Sequence, residues 1–250
     1  MATIVKAEEA GVAFSFVCDD QYEIYRAKTL FQKEEGTIRW LRESIKPGDV
    51  VYDIGANIGP YTLVAAGLGA MVYAFEPHVA NACSLLRNVA RNTLASQVKF
   101  LTCALHEQSE FLDFNYRSKR AGSSGSQLGH TTGEDGQAFT PLVIEVKYAT
   151  SVNHLVGAGA IKAPALVKLD VDGNEWPILL GMQDALPGMR SIQVEISPAA
   201  EHRHTDDIIA LLEKHGFCLT QRHHSQNALR LIKKGADPNQ VTHNAIFTRQ

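Results

Sequence analysis

The stretch VVYDIGANIGPYTLVAAGLGAMVYAFEP, residues 50–77, decides the fold. It opens as an apolar run, breaks into small residues between Gly55 and Gly59, turns apolar again and ends on Glu76 and Pro77. Residues 50–54 read as a buried strand, 61–67 as a helix and 71–75 as a second strand. A glycine-bearing turn between a strand and a helix sets backbone N–H groups where a nucleotide-like cofactor can lie against them.

Outward from this unit the alternation continues. The segment HVANACSLLRNVARN places Val79, Cys83, Leu86 and Ala90 on one helical face, and residues 98–103 read as a third strand. After a different middle region, 165–171 and 191–196 read as further strands with a helix between them, where Pro177 fits only near the first turn. Thr205 reads as an N-cap, with Asp206 and Asp207 in the first turn, Lys214 and His215 in the last and Gly216 just beyond. Residues 217–220 and 245–248 read as closing strands, a hairpin at the sheet edge. Strands separated by helices of this length predict βαβ units in a parallel sheet covered on both faces.

Residues 1–45 form an N-terminal extension: an apolar stretch at 12–17, then polar and aromatic sequence ending in helical spacing of Ile38, Leu41 and Ile45 over 36–45. Residues 106–150 are expected to form two antiparallel strands, EFLDFNY and LVIEVKYAT, bracketing the Gly- and Ser-rich RSKRAGSSGSQLGHTTGEDGQ. A loop this long inside a compact domain is expected to be a mobile lid. The whole of 1–250 is read as one domain, without repeats.

At 250 residues with 45% hydrophobic content, the chain can bury a full core. A formal net charge of −3 gives no sign of a nucleic-acid or anionic-membrane partner. Cys18, Cys83, Cys103 and Cys218 are scattered without a C-x-x-C pair, which argues against a disulfide scaffold or zinc knuckle. No window approaches a membrane span, and a soluble cytoplasmic protein is expected.

The turn itself narrows the cofactor. A P-loop needs Lys-Ser/Thr after its last glycine, and Gly59 is followed by Pro60 and Tyr61. The dinucleotide fingerprint G-x-G-x-x-G is not met either, because Asn57 stands at the second glycine and the final spacing is short. Asp53, at the strand end, disfavours a pyrophosphate by Coulomb's law. It suits a cofactor with a cationic end, such as S-adenosylmethionine. Glu76, 23 residues on at the end of the adjacent strand, can accept two ribose hydroxyls.

VVYDIGANIGPYTLVAA, VYAFEPHVAN, Arg91-Asn92 and LVKLDVDGNEWPILLGM resemble the hallmarks of the FkbM family of S-adenosylmethionine-dependent methyltransferases, from about Val50 to Ile196. The resemblance implies a Rossmann-like, doubly wound class I methyltransferase fold, with seven strands in the order 3-2-1-4-5-7-6 and strand seven antiparallel. It implies O-methylation of a sugar, glycan or natural-product hydroxyl. Asp172 and Asn174 depart from the family pattern, which more often has Glu and an aromatic there. Carried over, Asp53, Gly55, Asn57 and Gly59 line the methionine end, Glu76 with Pro77 beyond it holds the ribose, and Ala104 and Leu105 approach the adenine. Asn92 reads as a helix C-terminal residue.

An aliphatic hydroxyl is a poor nucleophile, so a base or metal must draw off its proton. Asp170 and Glu195 finish strands four and five, at the sheet end where such sites lie. Asp170, Asp172 and Glu175 resemble the start of an oxygen-rich site for a divalent metal, although acids there also cap the following helix. His202 and His204, in EHRH after strand five, are candidate general bases; His223, His224 and His243 read as surface. Arg117, Lys119 and Arg120 form a small basic cluster, and Tyr22, Tyr25 and Trp40 are candidates for an acceptor wall. Two other classes stay open: an NAD-linked oxidoreductase, and a non-catalytic binding module on the same fold. A homodimer is expected from fold analogy alone.

Overall fold

A computed structural model describes residues 2–9, 11–133, 136–198 and 205–250. The central sheet has seven strands, numbered here in chain order: β1 Val50–Ile54, β2 Met71–Phe75, β3 Val98–Leu101, β4 Leu166–Leu169, β5 Ser191–Ile196, β6 Phe217–His223 and β7 His243–Arg249. Across the sheet they lie in the order 3-2-1-4-5-7-6. β7 runs antiparallel to β5 and β6, and every other neighbouring pair is parallel. Both faces are covered, one by the cluster around Phe16, Ile58, Leu63 and Leu85, the other by the cluster around Ile178, Leu179, Met182 and Leu212. Burial on both faces is why β1, β2 and β4 read as largely apolar runs, broken only by Asp53 and Lys168.

The helix Val79–Arg91 turns the opposite way from its sequence pattern. Val79, Cys83, Leu86 and Ala90 face solvent, while Asn81, Ser84, Leu85, Asn88 and Val89 are buried. The reason is the N-terminal extension. Thr3–Glu9 and Val12–Cys18 form an antiparallel hairpin that docks on this helix through its polar residues. Asn88 accepts from the Val17 amide at 2.8 Å and donates to the Ile58 carbonyl at 2.8 Å. Asn92, the helix C-cap, accepts from Ser15 N and donates to Ser15 O, both at 2.8 Å. Backbone groups of an added hairpin need hydrogen-bond partners, so a polar helix face becomes the buried one.

A smaller sheet, ordered Ala104–Leu105, Val143–Thr150, Glu110–Tyr116, Gln127–Leu128, stands beside the first. Its outward face leaves Phe111, Ile144, Val146 and Tyr148 exposed. Two helices, Val152–Gly157 and Gln226–Lys233, had no clear sequence signal. The helix Thr205–Lys214 carries Asp206 and Asp207 in its first turn and Lys214 in its last. Among the described residues no helix is long and apolar enough to cross a membrane.

Asn88→Ala strands two buried backbone groups. We expect it to lower unfolding free energy by about 2–4 kcal/mol in urea titration, the sum of two unsatisfied partners. An exposed control, Leu86→Ala, is expected to stay within about 0.5 kcal/mol.

Candidate active site

The carboxyl ends of β1, β2, β4 and β5 open into a cavity of about 980 Å³. Its floor is the turn after β1. Gly55 has φ +84°, and a Cβ there would stand 1.8 Å from the Asp170 carbonyl oxygen, so no side chain fits. Asn57 takes φ +53° without being glycine. Its amide donates to Glu76 Oε2 at 2.6 Å, while His78 N donates to Glu76 Oε1 at 2.8 Å. Burial pushes the Glu76 carboxyl up to about 7, against the pull of those two amides.

Of the expected cofactor residues, Gly55, Asn57, Glu76, Pro77, Ala104 and Leu105 line the cavity. Asp53 and Gly59 do not. The Asp53 carboxylate is buried beneath the turn, accepting from Thr62 Oγ1 at 2.6 Å with Lys168 Nζ 3.7 Å away. Gly59 opens the helix Pro60–Gly67 at φ +91°, where a Cβ would meet Leu85 at 2.5 Å. It is a packing glycine.

Asp170 follows β4 and accepts from Lys168 Nζ at 2.8 Å. Lys168 is fully buried within the strand, 5.0 Å from the Tyr61 ring centroid. Burial opposes ionisation of Asp170, but the charges of Lys168 and Lys33 outweigh it and hold the carboxyl below its usual range. Asp172 is pushed up instead, by burial and then by the charge of Asp170. It sits at φ +58°, a strained position held in part by the Gly125 amide, which donates to its carboxylate at 2.7 Å.

Carboxylate oxygens of Asp170, Asp172 and Glu195 lie within 4.8 Å of one another, a group with the oxygen chemistry of a divalent-cation site. The structure thus brings Glu195, not Glu175, to the two aspartates. Glu175 is buried with Oε1 accepting from Val171 N at 3.1 Å and Gly173 N at 3.2 Å, closing its own loop. His202 and His204 lie outside the described residues. His243, expected at the surface, is buried beside Ile196 across the β5–β7 pairing and lines the cavity.

Segments outside the main sheet supply the remaining walls. Tyr22 and Tyr25 line the cavity as expected, and Arg26, Lys33 and Glu34 join them. Trp40 does not; its Nε1 donates to Ser191 Oγ at 2.9 Å in the core. The Gly- and Ser-rich segment lies across the cavity mouth rather than free of it. The Ser123 carbonyl accepts from Asn57 Nδ2 at 2.8 Å and Asn81 Nδ2 at 3.3 Å, and the Gly122 amide donates to Asn81 Oδ1 at 2.8 Å. His78 packs under the same segment, with Nε2 2.8 Å from the Ser118 carbonyl. The EPHVAN string held His78 and Asn81 in plain view, but nothing local showed which way they turn.

A seven-stranded sheet with this turn, the buried acid after β2 and the acids after β4 defines a class I S-adenosylmethionine-dependent methyltransferase. The chain belongs to the FkbM methyltransferase family, matching the Methyltransferase FkbM domain over residues 53–219. It is 29% identical over 208 residues to the hexuronic acid methyltransferase AglP of Haloferax volcanii, covering 83% of this chain and 79% of that protein. It is 29% identical over 197 residues to the 31-O-demethyl-FK506 methyltransferase FkbM of Streptomyces tacrolimicus, covering 69% and 74%. Among solved structures, the fold is similar to methyltransferase FkbM from Methylobacillus flagellatus, with TM-score 0.51 and 16% identity over 91% of this chain and 55% of that one. It is also similar to magnesium protoporphyrin IX methyltransferase from Synechocystis, solved with bound S-adenosylhomocysteine, at TM-score 0.51 and 12% identity over 92% and 85%.

Lys168→Met leaves the buried Asp53 and the half-buried Asp170 without the ammonium between them. We expect a loss of about 3–5 kcal/mol at pH 8. The freed carboxyls titrate above their unfolded values, so the stability they allow is present at low pH and lost as pH rises. Urea unfolding at pH 5 and pH 8 is expected to show the smaller deficit at pH 5.

Proposed function

We propose that this methyltransferase transfers the methyl group of S-adenosylmethionine to a hydroxyl of a sugar, glycan or natural product. The observation that carries the reading is one cavity joining Gly55, Asn57 and Glu76 to the carboxylates of Asp170, Asp172 and Glu195. Glu76 receives the ribose hydroxyls on lone pairs its two backbone donors leave free. Gly55 and Asn57 lie against the methionine end, while Pro77, Ala104 and Leu105 flank the ribose and adenine. The relatives' names support the acceptor class, one naming a hexuronic acid and the other 31-O-demethyl-FK506.

The reaction is an in-line displacement. An acceptor oxygen lone pair forms the new C–O bond as the C–S bond breaks, its electrons passing to sulfur. The hydroxyl proton goes to Asp172, whose carboxyl is pushed up from its ordinary range by burial and the neighbouring Asp170 charge, which favours proton uptake, while Asp170 stays ionised beside it. Glu195 completes the wall that orients the acceptor, and holding it at attack distance supplies much of the rate. A divalent cation held by Asp170, Asp172 and Glu195 is a second reading, favoured by the closeness of their oxygens. It would draw the acceptor proton off by lowering its pKa. Turnover lost on chelation and restored by Mg²⁺, with cofactor affinity unchanged, selects that reading. We place the chain in the cytoplasm, a setting supported by four cysteines without a disulfide.

Calorimetric titration with S-adenosylhomocysteine tests the cofactor roles. The ionised Glu76 carboxylate is the better acceptor, and it is lost as pH falls through about 7, so binding should be weaker at pH 6 than at pH 8. Glu76→Ala should cost roughly tenfold or more and flatten the pH dependence. Unchanged affinity in the variant at both pH values would remove Glu76 from the cofactor site.

A further inference from the structure

We propose that Arg26 binds the carboxylate at the methionine end of the cofactor, an inference that rests on the cofactor placement above. Arg26 belongs to the helix Gln21–Lys28, ahead of the central sheet, and lines the cavity. Its Nε donates to the Gly122 carbonyl at 2.5 Å, which fixes the guanidinium against the segment crossing the cavity mouth. Its terminal nitrogens make no hydrogen bond or ion pair with the described residues, so four N–H donors remain for a ligand.

The other cations near the cavity are engaged. Lys33 pairs with Glu34 at 2.9 Å, and Lys168 is held between Asp170 and Asp53. Arg117 lies on the exposed rim with its guanidinium over the Phe139 ring, 5.5 Å from the centroid. Arg26 shares the cavity with Gly55, Glu76, Asp170 and Asp172, and its charge acts on all three acids, at the ends of both β2 and β4.

That is where the amino-acid end falls once the ribose is on Glu76. This end is a zwitterion. Its ammonium meets acids on the wall at Asp170 and Asp172, but its carboxylate faces a wall otherwise rich in like charge, with Glu34 and Glu195 as well. A planar guanidinium fork is the partner that binds a carboxylate through two parallel hydrogen bonds. Ser123, next to Gly122, is tied to Asn57 in the turn, so one strip of backbone fixes both the arginine and the turn that bind the same end.

The test compares two ligands, S-adenosylhomocysteine and methylthioadenosine, which keeps the adenosine and thioether but lacks the amino-acid part. Arg26→Ala is expected to weaken S-adenosylhomocysteine binding roughly ten- to hundredfold and leave methylthioadenosine affinity unchanged. Arg26→Lys should recover part of the loss. Equal weakening of both ligands would overturn the proposal, reducing Arg26 to a support for Gly122. Unchanged S-adenosylhomocysteine affinity with a raised acceptor KM would also overturn it, moving the arginine to the acceptor. A wild-type protein that bound neither ligand would overturn the cofactor placement itself, a result distinct from both.

Discussion

Lys168 is an ammonium inside a strand that otherwise reads Leu166, Val167 and Leu169, and the site is arranged around it. It reaches the carboxylate of Asp53 on β1 and of Asp170 after β4. Burying three charged groups is costly, and such clusters are weak contributors to net stability. Its effect here is on position and charge. With Lys168 in place Asp170 is ionised, and an ionised Asp170 raises Asp172. The same arrangement presses the Asp170 carbonyl against Gly55, so the turn after β1 and the acids after β4 are set by one another.

The second constraint is the covering of the sheet end. A site at the carboxyl edge of a parallel sheet is open to water unless other chain segments close it. The N-terminal helix and residues 118–126 do this together, joined through Arg26 to Gly122, Asn81 to Gly122 and Ser123, and Asn57 to Ser123. Because the N-terminal hairpin is anchored on Asn88 and Asn92, the wall that the N-terminal segment gives the cavity depends on contacts far along the chain. The family match begins at residue 53, so the helix carrying Arg26 lies ahead of the shared segment.

Much of the main sheet was legible because its signals are local. β1, β2 and β5 have the limits their apolar runs suggested, and Glu76 sits where an acid after β2 should. What failed depended on partners distant in sequence. Periodicity along Val79–Arg91 located a helix but not its inner face, because the inner face is polar and paired with a hairpin some seventy residues earlier. Asp53 looked like a cofactor ligand at a strand end, yet strand alternation and Lys168 turn it beneath the turn. Gly59 suggested a close approach by ligand, and the close approach is Leu85. His243 read as surface because its burial follows from the antiparallel register of β7 with β5, which no short window contains. Glu195 stood at the expected strand end, but only the fold shows that it, and not Glu175, meets the two aspartates.

Methyl transfer to a hydroxyl under the control of the Asp170 and Asp172 pair is proposed. The most direct measurement is transfer of a radiolabelled methyl group from S-adenosylmethionine to a panel of free and glycosidic sugars, including uronic acids, by wild type and Asp172→Asn. Transfer to a hydroxyl leaves label that survives alkali, as a methyl ether does, with the variant expected to be slower by roughly 10²-fold or more and its cofactor affinity unchanged. Label released by alkali as methanol would show a methyl ester and contradict hydroxyl transfer, and an undiminished rate in Asp172→Asn would contradict the base assigned here.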